Sequence, residues 1–192
     1  MSKISLIFYW VFFAVFNLKA SEYEITVLAT NTANFGGIGE WSFSALLESD
    51  DEKILFDTGF NENTVLHNAN LLGKDLSQVE KVILSHFHGD HTGGLIKLRK
   101  TFKEINPKAF SSVYVADGFF EQRYDENGEL RGFIGGFNDV DNFLKETDDL
   151  GIEFVVLKEP MEISKNLYLS GPVERIHEKV VAVSYTHLRA HE

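Results

Sequence analysis

The segment Lys81-Val82-Ile83-Leu84-Ser85-His86-Phe87-His88-Gly89-Asp90-His91-Thr92-Gly93-Gly94 constrains this chain more than any other. Its first five residues form a short, mostly apolar run of the kind buried in the middle of a sheet. Three of the seven histidines follow within six residues, with an aspartate between them. Loops held by the ends of rigid strands are where binding and catalytic groups are usually presented. In an extended backbone, residues two apart point to the same side, so His86 and His88 can converge on one ion. Gly89 then permits a turn, which aims Asp90 and His91 at a second position nearby. Imidazole nitrogen and carboxylate oxygen suit zinc, iron or manganese. The competing reading is an exposed polar turn that happens to be histidine-rich. Four ligand-type side chains in this order, between an apolar strand and a Gly-Gly helix start, favour the metal.

The elements around this segment predict a mixed α/β (α+β) domain with helices packed outside a sheet. Residues 23–29 (YEITVLA) alternate as a half-buried strand does. Residues 43–47 and 53–56 read as a hairpin across the acidic turn Ser49-Asp50-Asp51-Glu52. Asn61 or Asn63 suits the N-cap of a helix reaching Leu72, with Gly73 ending it and Val65, Leu66, Ala69 and Leu72 on one face. Residues 81–85 form the core strand and 95–102 a helix. Then come a strand at 113–116, a helix at 140–150, and strands at 152–157 and 167–169.

Composition removes several classes of function. The net charge of -11 works against binding a phosphate backbone, so nucleic acid is not an expected partner. A small-molecule substrate, even an anionic one, remains compatible because a bound metal reverses the local potential. The absence of cysteine excludes disulfides, a thiolate nucleophile, cysteine zinc sites and iron–sulfur clusters. Residues 1–20 carry Lys3, an apolar run from Ile4 to Phe16, and Leu18 and Ala20 at positions a signal peptidase accepts. The run is short beside the roughly 20 residues of a spanning helix, so a cleaved signal peptide is expected rather than a stable membrane anchor. The chain would then be exported, to the periplasm or beyond.

The His-x-His-x-Asp-His pattern resembles the signature of the metallo-β-lactamase superfamily. Ile54-Leu55-Phe56-Asp57-Thr58-Gly59 looks like its strand ending in Asp-Thr-Gly. Residues 41–48 (WSFSALLE) and 65–69 (VLHNA) are similar to the branch containing dihydropterin/ribofuranosylaminobenzene-phosphate synthase-like proteins. Gly171-Pro172-Val173 with Arg175 resembles a Gly-x-Pro-Arg segment of that branch, with Glu174 standing where the branch usually has proline. The resemblance covers residues 23–178 and implies the N-terminal half of an αββα sandwich. It further implies two divalent ions, zinc foremost with manganese or iron as alternatives. His86 and His88 would hold one, Asp90 and His91 the other. A metal-bridged hydroxide would attack an ester, phosphoester or lactone-type bond, with Asp90 also orienting it. Asp57 would stand behind the ligands, fixing their loop by hydrogen bonds.

Other residues are left out of the site. His67, opposite Val65 and Ala69, reads as solvated. The loop with Gly36, Gly37 and Gly39 lacks the order of a phosphate-binding fingerprint and reads as a flexible segment near the site mouth. Phe119, Phe120, Phe133 and Phe137 are expected to pack under a long loop, and His177 to be a surface residue. The superfamily's remaining ligands, which would come from a second half, are not evident. Residues 182–192, with His187 and His191, resemble a non-native tail, so the domain is expected to span 21–181 and to be incomplete. An apolar sheet face would then lie open. The functional alternatives are a synthase-like transferase on a pterin and a phosphorylated sugar donor, a mononuclear iron oxygenase, and a non-catalytic fragment or binding module.

Overall fold

The computed structural model describes residues 23–49, 51–121, 123–124, 127–131 and 140–173. The expected signal peptide, the tail, and Phe133, Phe137, Glu174, Arg175, His177, His187 and His191 lie outside these residues. No helix among the described residues is long and apolar enough to cross a membrane.

The chain runs β1 (Glu24–Ala29), β2 (Ser44–Glu48), β3 (Lys53–Phe56), α1 (Thr64–Leu71), β4 (Val79–Ile83), α2 (Gly89–Thr92), α3 (Leu95–Phe102) and β5 (Ser112–Ala116). It continues with β6 (Arg123–Tyr124), β7 (Leu130–Arg131), α4 (Val140–Asp149), β8 (Glu153–Leu157), β9 (Met161–Ser164) and β10 (Leu167–Leu169). Six strands form one sheet in the order β1-β2-β3-β4-β5-β8. The β1–β2 and β2–β3 pairs are antiparallel, and β3, β4, β5 and β8 run parallel. Each parallel step moves in the same direction along the sheet. With crossovers of one hand, that places α1, α3 and α4 on the same face.

Strand alternation then divides the side chains. Leu55, Val82, Val113 and Val115 face the helices and bury against Val65, Ala69, Leu95, Leu98 and Phe143. Ile54 and Ile83 point to the other face, where Ile163 of β9 and the half-buried Leu167 and Leu169 of β10 pack on them. Lys81, also on that face, ties the β9–β10 hairpin down: its Nζ donates to the Ile163 carbonyl at 2.7 Å and pairs with Glu52 at 3.0 Å. Ile25 and Val27 at the β1 edge stay 64% and 48% exposed, so this face is covered over β3–β5 and open toward β1.

The helix after β3 begins at Thr64 as the asparagine pair suggests, but without a side-chain cap from Asn63; Asn61 instead accepts from the Asn63 amide at 3.0 Å. Its end is a Schellman motif. Gly73 takes φ +67°, its N–H donates to the Asn70 carbonyl, and Lys74 N–H donates to the Ala69 carbonyl. Leu72, expected on the buried face, is 50% exposed because it is the cap residue where the chain leaves the helix. Asn68 is buried in its stead. Strand β9 was not anticipated. It closes a two-residue hairpin through Lys165-Asn166, with Asn166 at φ +63°, a turn that carries no glycine to announce it. Phe119 and Phe120 do pack internally, edge-on to each other and from Phe120 to Phe154, whose ring in turn lies tilted against Phe143.

Candidate metal centre

Strand β4 ends at Ile83, and the ligand-type residues follow at its carboxyl end, beside the ends of β3 and β5. His88 is extended (φ -65°, ψ 147°) and its carbonyl accepts from the amides of His91 and Thr92, which starts the single helical turn α2. The turn expected at Gly89 is therefore the first residue of a helix, buried and in no special conformation. That turn swings Asp90 and His91 back toward His86.

The Asp57-Thr58-Gly59 loop holds this turn from beneath. Thr58 donates to the His91 carbonyl from both N–H (2.7 Å) and Oγ1 (3.1 Å), and Gly93 N–H donates to the Gly59 carbonyl at 2.9 Å. Phe43 N–H donates to the Asp90 carbonyl at 3.3 Å. Gly93 and Gly94 let the two segments touch, since a Cβ on either would meet the backbone carbonyl of Phe60 or of Thr58. Asp57 is 1% exposed and adopts φ +54°, a left-handed conformation that aspartate tolerates better than most residues. Its Oδ1 accepts from Ser85 N–H at 2.7 Å; its Oδ2 accepts from Ser85 Oγ at 2.7 Å and lies 2.7 Å from His91 Nδ1.

His86, Asp90 and His91 each place one ligand-type atom within 4.8 Å of the others. His91 Nε2 lies 3.5 Å from Asp90 Oδ2, and the rings of His86 and His91 are 4.2 Å apart. His88 joins through His86, with its Nδ1 3.2 Å from His86 Nε2. All four residues are half-buried. Burial of the His91 ring opposes its protonation. The hydrogen bond to Asp57, with the charges of Asp57 and Asp90, outweighs that and holds its pKa above the ordinary value. The donor set fits a divalent cation, because imidazole nitrogens and a carboxylate converge while Asp57 occupies the far nitrogen of His91.

Three supporting residues escaped the sequence reading. Glu40 accepts from Ser42 Oγ (2.7 Å), Phe60 N–H (2.7 Å), Asn61 N–H (3.1 Å) and Thr64 Oγ1 (2.8 Å), clamping the chain that leaves Asp57 for α1. Asn68 donates to the carbonyls of Leu28 and Ile38 and accepts from Ile38 N–H, pinning the glycine-bearing loop onto α1. His67 is exposed as expected, and its Nε2 lies 2.8 Å from the Gly36 carbonyl, so the loop has a second fastening. The third is Ser85. Neither a long-range clamp nor a buried amide has a local pattern to reveal it.

Burial raises the Glu40 pKa, but its four hydrogen bonds outweigh that and hold the carboxyl below its ordinary 4.5. A depressed carboxyl contributes stability above the unfolded-state pKa and loses it as pH falls through the folded one. Glu40→Gln should therefore be less stable than wild type near neutrality by about 1–2 kcal/mol. The gap should narrow as pH falls below 4.5 in urea melts. A gap independent of pH would contradict this account of the clamp.

At the carboxyl ends of the parallel strands a groove of about 510 Å³ opens next to Ser85. Phe56, Ile83, Tyr114 and Leu157 form its floor, and Leu169 to Val173 one wall, with Gly171 at φ +67°. Ligands of α/β sheets bind outside this end of the strands.

Residues 42–164 match the family model of the Metallo-beta-lactamase superfamily. An uncharacterized Methanocaldococcus jannaschii protein, MJ0448, is 32% identical over 154 residues, covering 80% of this chain and 55% of that protein. The 7,8-dihydropterin-6-methyl-4-(beta-D-ribofuranosyl)-aminobenzene-5'-phosphate synthase of the same organism is 29% identical over 164 residues, covering 81% of this chain and 52% of its own length. Among solved structures, Tm1679, described as a metal-dependent hydrolase of the beta-lactamase superfamily, superposes with a TM-score of 0.57 at 29% identity. That match covers 80% of this chain and 49% of Tm1679. The chain spans about half the length of these relatives. With its mixed sheet, its one-sided helices and its His/Asp cluster at the strand ends, the chain belongs to the metallo-β-lactamase superfamily.

Proposed function

We propose that this chain carries part of the centre of a metal-dependent hydrolase acting on an ester, phosphoester or lactone-type bond of a small molecule. The observation that carries the proposal is the convergence of His86, Asp90 and His91 at the strand ends, with His88 against His86. Two divalent ions, zinc foremost, would supply a water acidified toward a pKa of ~7 and a Lewis acid for the scissile group. His86 and His88 would bind one, Asp90 and His91 the other. Asp90 would also orient that water, and Asp57 would keep the His91 ring aligned. The apolar groove beside Ser85 would hold the non-reacting part of the substrate. Residues 1–20 support export of this activity.

A second reading, a synthase-like transferase, is favoured by the named synthase among the relatives. An exported chain would be separated from a cytosolic pterin and sugar phosphate, which counts against it.

Zinc and manganese titrations of the full chain, followed by calorimetry, test the metal reading. His86→Ala, Asp90→Ala and His91→Ala should each weaken binding by more than the roughly 10–100-fold that loss of a supporting hydrogen bond costs. Absence of saturable binding, or binding unchanged in all three variants, would overturn the assignment. Hydrolysis assays on phosphodiester, lactone and β-lactam substrates then separate the hydrolase from the transferase, for which none should turn over.

A further inference from the structure

We propose that Ser85 is a positioning residue that sets the imidazole tautomer of His86, so that one buried carboxylate, Asp57, prepares two histidines at once. The reasoning is a count of protons. A carboxylate can only accept, and Ser85 Oγ lies 2.7 Å from Asp57 Oδ2, so the single hydroxyl proton is committed to Asp57. What Ser85 Oγ has left is lone pairs, and His86 Nδ1 lies 3.0 Å from it. That contact is a hydrogen bond only when His86 Nδ1 carries the proton. In the neutral ring, Nε2 then keeps its lone pair, and the His88 Nδ1 that lies 3.2 Å away pairs with it as the donor.

The same carboxylate oxygen lies 2.7 Å from His91 Nδ1, which must likewise carry a proton, leaving Nε2 of His91 toward Asp90. Asp57 thus acts on His91 directly and on His86 through the serine. The backbone adds a separate anchor, since Ser85 N–H donates to Asp57 Oδ1 at 2.7 Å whatever the side chain is. Removing the hydroxyl therefore isolates the tautomer effect from the anchoring of the loop. Ser85 is also exposed on its solvent side, so its truncation leaves no buried cavity.

The consequence for ligation rests on the metal reading above; the tautomer itself does not. The test uses the full chain without metal and ¹⁵N-edited NMR of the imidazoles, at a pH where the rings are neutral. Wild type should show His86 protonated at Nδ1. In Ser85→Ala, water replaces the hydroxyl and can either give or accept a proton, so the Nε2–H form should appear and zinc affinity should fall about 10–100-fold. Ser85→Thr, which keeps the hydroxyl, should restore both. The inference fails if wild-type His86 is protonated at Nε2, a result that needs no variant to fold. It also fails if Ser85→Ala keeps Nδ1–H with zinc affinity unchanged, or if Ser85→Thr behaves as the alanine variant does. The predicted tautomers without zinc binding would support the role of Ser85 while overturning the metal assignment.

Discussion

Asp57→Ala is expected to lower the unfolding free energy by about 2–4 kcal/mol and to abolish tight metal binding. The stability loss follows from what the carboxylate serves: Ser85 N–H, Ser85 Oγ and His91 Nδ1, all within 2.7 Å of its oxygens. Its burial means that water does not readily take its place, and an unsatisfied buried donor costs about 1–3 kcal/mol. The left-handed backbone at φ +54° adds to the cost, since alanine tolerates it less well than aspartate. Asp57→Asn separates the two effects. Asparagine tolerates the backbone and can still accept from Ser85 N–H, but its amide group would face the other donors. It should fold with a smaller stability loss, yet lose most of the metal affinity. Urea melts and zinc titrations of both variants check this. Equal stability of wild type and Asp57→Ala would show that the carboxylate does not hold the ligand loop.

Gly94→Ala should be at least as damaging, about 3 kcal/mol or more, although it adds only one methyl group. The new Cβ would run into the carbonyl of Thr58, the residue whose N–H and hydroxyl hold the His91 carbonyl. A backbone carbonyl cannot rotate away as a side-chain tip can, so the ligand turn and the Asp57 loop would have to separate. Gly93→Ala should act the same way through the Phe60 carbonyl. By contrast, Gly128→Ala meets nothing within 4 Å, and its penalty is confined to the backbone at φ +78°. A thermal-melt comparison of the three should rank Gly93 and Gly94 well below Gly128. Similar melting temperatures for all three would refute the close approach.

Much of this was legible along the chain, because it depends on local pattern. Helix α3 runs over 95–102 as expected, and strands β3 and β10 have the expected limits. Period-two strands and period-3.6 helices reveal themselves in short windows. The short β9 did not, since a Lys-Asn turn with no glycine left its hairpin unmarked. Leu72 was misplaced for a related reason: helical spacing assigns it to the buried face, while the left-handed Gly73 ends the helix one residue earlier.

The sequence alone determined which residues are available for chemistry. His86, His88, Asp90 and His91 are bunched behind an apolar strand, no cysteine competes with them, and Asp57 closes another strand. Tertiary structure decided how they meet. It replaced the turn expected at Gly89 with a helical turn held from below by Thr58 and Gly59, and it placed Asp57 against both Ser85 and His91. It also supplied the clamps of Glu40 and Asn68, whose partners lie 20 or more residues away apart from Ser42. The physical reason is range. Propensity and periodicity act over a few residues, whereas a buried carboxylate is satisfied by whatever donors the packing of β3 against β4 brings to it.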